Sequence, residues 1–318
     1  MTGVQTCASP DLVFRTFQAE LENVFEEYNM YANEPSSQAQ KKLMEAVSKG
    51  SPYERDVIGL PEHLKNPRLS RLIEFYNTWY VPNNMALIIV GDFDTESTKP
   101  MIAETFGRLQ PKELPARPSY PSVQLTGKKH YNLGYTPQVA WVYQGVKEGD
   151  PDQDILVFVC NLLYNGQTGL LDQVNTKGDV GQAYAFSDSR RNDGRVFVMA
   201  VPYYDANQRM YESDKATEAI IMKEIDKIKR GEISDELIAN VKHMYAQSYK
   251  SFNESPSTKM NVLVDAFTYA KPVDDIFTAN EKIQSLTKEE IARVAKKYFD
   301  ADHMTKIGRS TRLNPVTG

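Results

Sequence analysis

Leu64-Lys-Asn-Pro-Arg-Leu-Ser-Arg-Leu-Ile, residues 64–73, and Ile283-Gln-Ser-Leu-Thr-Lys-Glu-Glu-Ile-Ala, residues 283–292, do the same job at two places in one chain. Each leads into a helix that ends in paired aromatics, Trp79-Tyr80 in the first case and Tyr298-Phe299 in the second. Five residues after the second aromatic comes a methionine, Met85 or Met304, and the offset between the passages is 219 throughout. A register that does not slip over this length is the mark of a duplicated α+β domain, each copy a sheet packed with helices. The second copy is expected to break off at Met304, where its closing strand should begin.

Outward from these passages the apolar spacing assigns the remaining elements. Val13, Phe17, Leu21, Val24 and Tyr28 recur at three- and four-residue steps, one stripe of a helix over 12–31. A short helix is expected at Leu43–Val47, and the helix after Asn66-Pro should turn Leu72, Phe75, Tyr76 and Trp79 inward. Val81-Pro-Asn-Asn is a turn; Met85–Val90 reads as a strand stopped by Gly91-Asp92, and Thr95–Phe106 as a helix. Pro111, Pro115, Pro118 and Pro121 mark a linker. Beyond it come strands at 138–146, 181–187 and 195–202 and helices at 153–164 and 170–175. Helices then follow at 207–229, 234–252, 259–269 and 287–299. Ser234-Asp-Glu-Leu and Thr287-Lys-Glu-Glu carry N-cap residues with early acids.

The chain of 318 residues is 41% hydrophobic and 25% charged, enough for a real core, and no run of eighteen apolar residues offers a membrane span. A net charge of −5 and the lack of a basic stripe argue against nucleic acid. Of two cysteines, Cys160 lies in an apolar run and reads as a buried, inert thiol, so neither a disulfide framework nor a cysteine metal site can be built. Low cysteine content is compatible with cytoplasm or periplasm. Met1-Thr-Gly-Val-Gln-Thr-Cys-Ala-Ser-Pro and Arg309-Ser-Thr-Arg-Leu-Asn resemble translated sequencing-adapter oligonucleotides. Residues 1–10 and 306–318 are therefore set aside as tails, which leaves expected domains at 11–110 and 120–305.

Chemistry is sparse. No two of His63, His130, His243 and His303 are three or four apart, so no helix carries a local histidine zinc pair. Glu20 and Glu27 are two turns apart on the first helix, so their carboxylates leave one face. By spacing alone this is also what a solvated acidic face with Glu22 and Glu26 would show.

Glu20-x-x-x-Val-Phe-Glu-Glu-Tyr-Asn-Met, Ser51-Pro-Tyr, Ile58-Gly, Leu64-Lys-Asn-Pro, Phe75-Tyr-Asn-Thr-Trp-Tyr-Val-Pro-Asn-Asn-Met and Ile89-Val-Gly-Asp-Phe together resemble the pitrilysin/insulinase family of zinc metallopeptidases. They match the second half of its first domain in order and spacing, and Asn165-Gly-Gln-Thr-Gly-Leu-Leu-Asp resembles a loop-helix entry in its second. The resemblance implies a zinc ion bound by an inverted His-x-x-Glu-His helix, whose glutamate is the general base, and by a later glutamate. That later ligand maps onto Glu27, and a supporting glutamate maps onto Glu20. Zinc would polarise the scissile carbonyl and acidify its water, with Glu20 helping to orient the site. Only residues 11–26 precede Glu27 in the credible chain, so the His-x-x-Glu-His helix is expected on a segment upstream.

The family's substrate-binding arginine and tyrosine fall where this chain has Asn175 and Gln182, so a further pair of homologous domains is expected to supply them. The resemblance thus implies part of an endopeptidase that cleaves unfolded peptides in an enclosed chamber. The alternative is a catalytically silent chamber half acting as a binding or scaffold subunit.

Overall fold

The computed structural model describes residues 14–127, 129–132, 138–202 and 214–308. Two units make up the chain: residues up to Gln38 with Arg55–Ser119, and Ala39–Glu54 with Tyr120 onward. The division at Ser119–Tyr120 falls inside the proline-rich stretch. Residues 39–54, expected in the first domain, instead belong to the second unit, for a reason given below.

The first unit is helical. It holds α1 (Phe14–Asn33), the start of α2 (Pro35–Val47), α3 (Pro61–Lys65), α4 (Leu69–Trp79) and α5 (Thr95–Phe106). Helix α5 starts where the Asp94 carboxylate accepts the Ser97 N–H at 2.8 Å, a side-chain N-cap. A short 3-10 turn, Pro82–Asn84, follows α4, and its asparagines hold the proline-rich stretch. The Asn83 amide pairs with both backbone groups of Lys112 (2.9 and 3.1 Å), and Arg117 donates to Asn84 Oδ1 at 2.7 Å. Among the described residues of this unit only Val81 is fully enclosed.

The second unit is built on a five-stranded sheet with the order β1-β5-β2-β4-β3. Its elements are β1 (Lys129–Asn132), β2 (Val139–Gln144), α6 (Gln153–Leu163), α7 (Leu170–Lys177), β3 (Gln182–Ser189) and β4 (Gly194–Val201). Then come α8 (Asp214–Lys229), α9 (Asp235–Glu254), α10 (Pro256–Tyr269), α11 (Val273–Ser285), α12 (Lys288–Tyr298) and β5 (Met304–Gly308). All ladders are antiparallel except β1 with β5. The fold is α+β, as expected.

Strand alternation divides the core in two. Val139, Trp141 and Tyr143 of β2 and Val196, Val198 and Ala200 of β4 face the helical layer with Leu156, Phe158, Ile221, Ile291 and Val294. Ala140, Val142, Phe197 and Met199 face the other way, with Ile307 of β5, and there they meet Leu43, Met44 and Val47 of α2. That second face explains why residues 39–47 leave the first unit: α2 has an apolar side that only this sheet face covers. It also explains why β4 reads as an unbroken apolar run, since both its faces are buried. Arg195 of β4 locks the arrangement. Its guanidinium, buried, donates to Val47 O (2.7 and 3.0 Å), Val123 O (2.8 Å) and Asp193 Oδ1 (2.7 Å). Asp193 in turn accepts from Ser122 Oγ and the N–H groups of Val123 and Gly194. Gly194 is required here because a Cβ would lie 1.9 Å from Val146 O.

The offset of the repeat reappears in the element boundaries. Shifted by 219, α4, the 3-10 turn Pro82–Asn84 and residues 85–89 fall on α12, the 3-10 turn Ala301–His303 and β5, end for end. What differs is burial. Ile291, Val294 and Met304 are 0, 0 and 2% exposed, whereas their counterparts Leu72, Phe75 and Met85 are 36, 55 and 52% exposed. The expected inward packing of Leu72 and Phe75 is thus not found, and the strand expected at Met85–Val90 does not form. The cause is the same for both: β5 lies between β1 and β2, and among the described residues the first unit has no strands to play those parts.

Three other expectations shift. β5 forms and runs to Gly308 with Ile307 buried, so residues 306–308 are core strand although they were set aside as tail. Helix α11 forms where no helix is expected, although Pro272, Asp274 and Asp275 stand at its start. The start of the helix expected from 207, like Cys7, lies outside the described residues.

Candidate functional site

Helix α1 carries both candidate carboxylates. Phe17, Leu21, Val24, Phe25 and Tyr28 form its half-buried stripe, against which α3 packs, with Lys65 Nζ 5.7 Å from the Phe25 ring centroid. Glu20 and Glu27 are both exposed on this helix, and so are Glu22 and Glu26. Glu22 accepts the Gln18 amide at 2.9 Å. A zinc site needs three protein ligands and an open position. Among the described residues no group of three histidine, cysteine or acidic side chains comes together. His63 on α3 is exposed and does not join Glu27 in such a cluster, and the His130 side chain lies outside the described residues. His243 lies 3.3 Å from the Gln247 amide and His303 bonds Asp300 at 2.8 Å, both local contacts. One carboxylate does not make a zinc site, so the donors described here do not fit the metal unaided.

The second unit offers no equivalent. At shifts of 219 to 221, Glu20 falls on Ala239, Asn240 or Val241 and Glu27 on Ala246, Gln247 or Ser248 of α9, none of them acidic. The Asn165–Asp172 motif is a self-bonded turn rather than a site. Asn165 Oδ1 accepts from the N–H groups of Gln167 and Thr168 (3.0 and 2.9 Å), and Asp172 Oδ2 accepts from those of Asn165 and Gly169 (3.0 and 2.8 Å). Cys160 is buried, and that burial pushes its thiol up to about 12, the inert behaviour expected of it. Asp152 is the most strongly perturbed carboxylate that is buried. Arg293 above all, then Lys297 and Tyr298, hydrogen-bond it and hold it well below the usual carboxylate range, tying the start of α6 to α12.

Asn175, which stands where the family's arginine is expected, has a structural occupation that sequence reasoning missed. Its amide donates to Ala183 O at 2.8 Å and accepts from Ala183 N at 2.7 Å. Gln182 beside it is exposed.

Residues 68–245 match the model of the family described as Peptidase M16 inactive domain, more than half of the chain. The chain belongs to this family, the pitrilysin/insulinase peptidases. The matched span of this M16 chain begins downstream of α1, so it leaves Glu20 and Glu27 outside. The uncharacterized zinc protease YmfH of Bacillus subtilis is 30% identical over 107 residues, 34% of this chain and 25% of the relative. Zinc protease PqqE of Helicobacter pylori is 22% identical over 265 residues, 80% of this chain and 58% of the relative. The crystal structure of a protease from Helicobacter pylori superposes with a TM-score of 0.81 at 20% identity, over 92% of this chain and 72% of that one. The M16 chain therefore spans between a quarter and about three fifths of the length of these two curated relatives. No described helix is long and apolar enough to cross a membrane.

Proposed function

We propose that this M16 chain is part of a longer zinc metalloendopeptidase, and that it contributes Glu27 as a direct metal ligand and Glu20 as the carboxylate that steadies it. The observation that carries this reading is the open apolar face of the first unit. Leu72, Phe75 and Met85 are exposed at the positions where Ile291, Val294 and Met304 are buried in one core with β2, β4 and the helical layer. Among the described residues the first unit holds no counterparts of β1 and β2. A first domain completed from upstream supplies both the missing sheet and a place for a His-x-x-Glu-His helix. Exposed apolar surface on this scale is what an unfilled interface leaves.

The substrates under this reading are unfolded peptides held in a chamber closed by a further pair of homologous domains. Those domains supply the arginine and tyrosine that Asn175 and Gln182 replace here. The second unit is the non-catalytic copy, in keeping with the lack of an acid at the α9 positions that match Glu20 and Glu27. A silent chamber half is the rival reading, supported by the overlap of the inactive-domain match with both units. The test is to restore the upstream segment and assay cleavage of an unstructured peptide with and without a chelator. Chelator-sensitive cleavage supports the protease. No cleavage by a protein that holds a complete sheet supports the silent half.

A further inference from the structure

Between the start of α6, the end of α10 and the length of α11 the second unit holds a cavity of about 940 Å³. That is the size of a small-molecule site, and it is lined as such sites are, by apolar side chains with a few charged groups among them. Ile155 of α6, Val262 of α10 and Ile276 and Ile283 of α11 form the apolar wall. The loop that leads into α6 is braced from two directions. On one side Asp152 accepts from Arg293, Lys297 and Tyr298 of α12 at 2.8, 2.7 and 3.0 Å. On the other, Glu148 pairs with Lys271, just beyond α10, and accepts the Gln153 amide at 2.7 Å. Gln153 in turn accepts the Gly149 N–H at 2.9 Å. Walls fixed in this way leave a ligand little ordering to impose.

The charges around the cavity do not balance. Glu148, Asp150, Asp154, Asp275 and Glu290 stand against only Lys271 and Lys282. Three of these carboxylates are occupied: Glu148 by Lys271, Asp150 by the Asp152 N–H at 2.9 Å, and Glu290 by the Thr287 N–H at 3.0 Å. Among the described residues no hydrogen bond or ion pair reaches the carboxylates of Asp154 and Asp275, and Lys282 acts on Asp154 only through its field. Asp154 is reached by water, yet it is surrounded by enough protein that burial raises its carboxyl above the usual range. Lys282 offsets that rise in part and Asp275 adds to it. Each acid stands in the first turn of its helix, a place acids favour. That accounts for either one alone, but not for two like charges opening into one partly apolar space.

We propose that this cavity binds a small organic cation, an ammonium or guanidinium group carried on an apolar body. The cation sits at Asp154 and Asp275, and the body lies against Ile155, Val262, Ile276 and Ile283. The excess of carboxylates sets the sign of the ligand's charge, and the apolar wall sets the nature of the rest. No three acidic or histidine side chains converge here among the described residues, so the donors do not suit a metal ion. Lys282 is the group with which the ligand's cation competes. The site goes beyond the peptidase reading and requires neither zinc nor an upstream segment.

The probe is phenylbutylamine, titrated into the 318-residue chain by isothermal calorimetry, with phenylbutanol as its uncharged counterpart. The expected result is one saturable site for the amine with a Kd below about 1 mM, and binding of the alcohol weaker by at least about tenfold. Asp154→Asn and Asp275→Asn should each weaken the amine at least about fivefold, and Lys282→Met should tighten it by a similar factor. Lys250→Met, at an exposed lysine of α9 away from the cavity, should change nothing. If an asparagine variant does not fold, the preference for amine over alcohol and the gain from Lys282→Met still decide. No saturable binding, equal binding of amine and alcohol, or an affinity indifferent to all three cavity variants would overturn the proposal. A gain from Lys250→Met equal to that from Lys282→Met would overturn it too, because net charge rather than a site would then be acting.

Discussion

Ile291→Ala and Leu72→Ala change equivalent positions of the two copies, and the account predicts unequal costs. Ile291 has no solvent exposure and packs among Leu156, Phe158 and Val294. Truncating such a side chain removes its transfer free energy and leaves a cavity, about 3–4 kcal/mol within the measured range for this change. For a unit of this size that lowers the melting temperature by about 10 °C. Leu72 is 36% exposed and its helix covers no sheet, so the same truncation should cost under about 1 kcal/mol. The two tryptophans make the assay clean, because Trp79 lies in the first unit and the fully buried Trp141 in the second. In a Trp79→Phe background, urea unfolding read by Trp141 emission reports the second unit alone, and circular dichroism reports both. Ile291→Ala should shift the emission midpoint strongly, and Leu72→Ala should shift neither signal appreciably. A Leu72→Ala shift as large as that of Ile291→Ala would refute the reasoning, because it would show a closed core in the first unit.

Asp193→Ala should destabilise the second unit by about 3–5 kcal/mol, measured by urea denaturation, because it leaves the buried Arg195 guanidinium without its counter-charge. Asp152→Asn should cost about 2 kcal/mol at pH 7, in the range of hydrogen bonds to charged groups. The folded carboxyl is held below its unfolded value near 3.9, so its contribution is present above about pH 4 and fades as acid titrates the folded group. The gap between wild type and Asp152→Asn should therefore narrow steadily below pH 4 in midpoints measured across that range. Deleting residues 304–318 should collapse the second unit's cooperative transition, since it removes β5 from between β1 and β2; a transition as sharp as that of the intact chain would show the strand to be dispensable.

The repeat was legible because two helices, each with its turn and methionine, keep one offset, and that offset survives into the coordinates residue for residue. Thr287 was recognisable as a cap, and it closes a reciprocal box with Glu290. What could not be read was which apolar stripe finds a partner. Leu72 and Ile291 look alike in sequence, and only the presence of β1 and β2 separates a core residue from an exposed one. The same limit hid the move of Leu43, Met44 and Val47 onto the second unit's sheet, since a helical stripe does not name the surface it will cover. A tail drawn from 306 reaches three residues ahead of the adapter-like motif at Arg309 and so cuts into β5, whose ladder runs to Gly308. At the site, two glutamates seven apart fixed a helix face but no chemistry. A zinc site is made by segments distant in sequence, and spacing along one helix carries no record of them.

The central claim is that Glu27 binds zinc and Glu20 supports it, and one measurement tests it directly: the zinc content of the protein restored upstream, for three single substitutions on α1. Glu27→Gln should lose its stoichiometric zinc together with peptide cleavage. Glu20→Gln should keep part of its zinc and lose roughly ten- to a hundredfold in affinity or turnover, as supporting partners of metal ligands do. Glu26→Gln, on another face of the same helix, should match the unsubstituted protein. If Glu27→Gln holds a full equivalent of zinc and cleaves peptide at the unsubstituted rate, the carboxylates of α1 are a solvated face and the assignment fails.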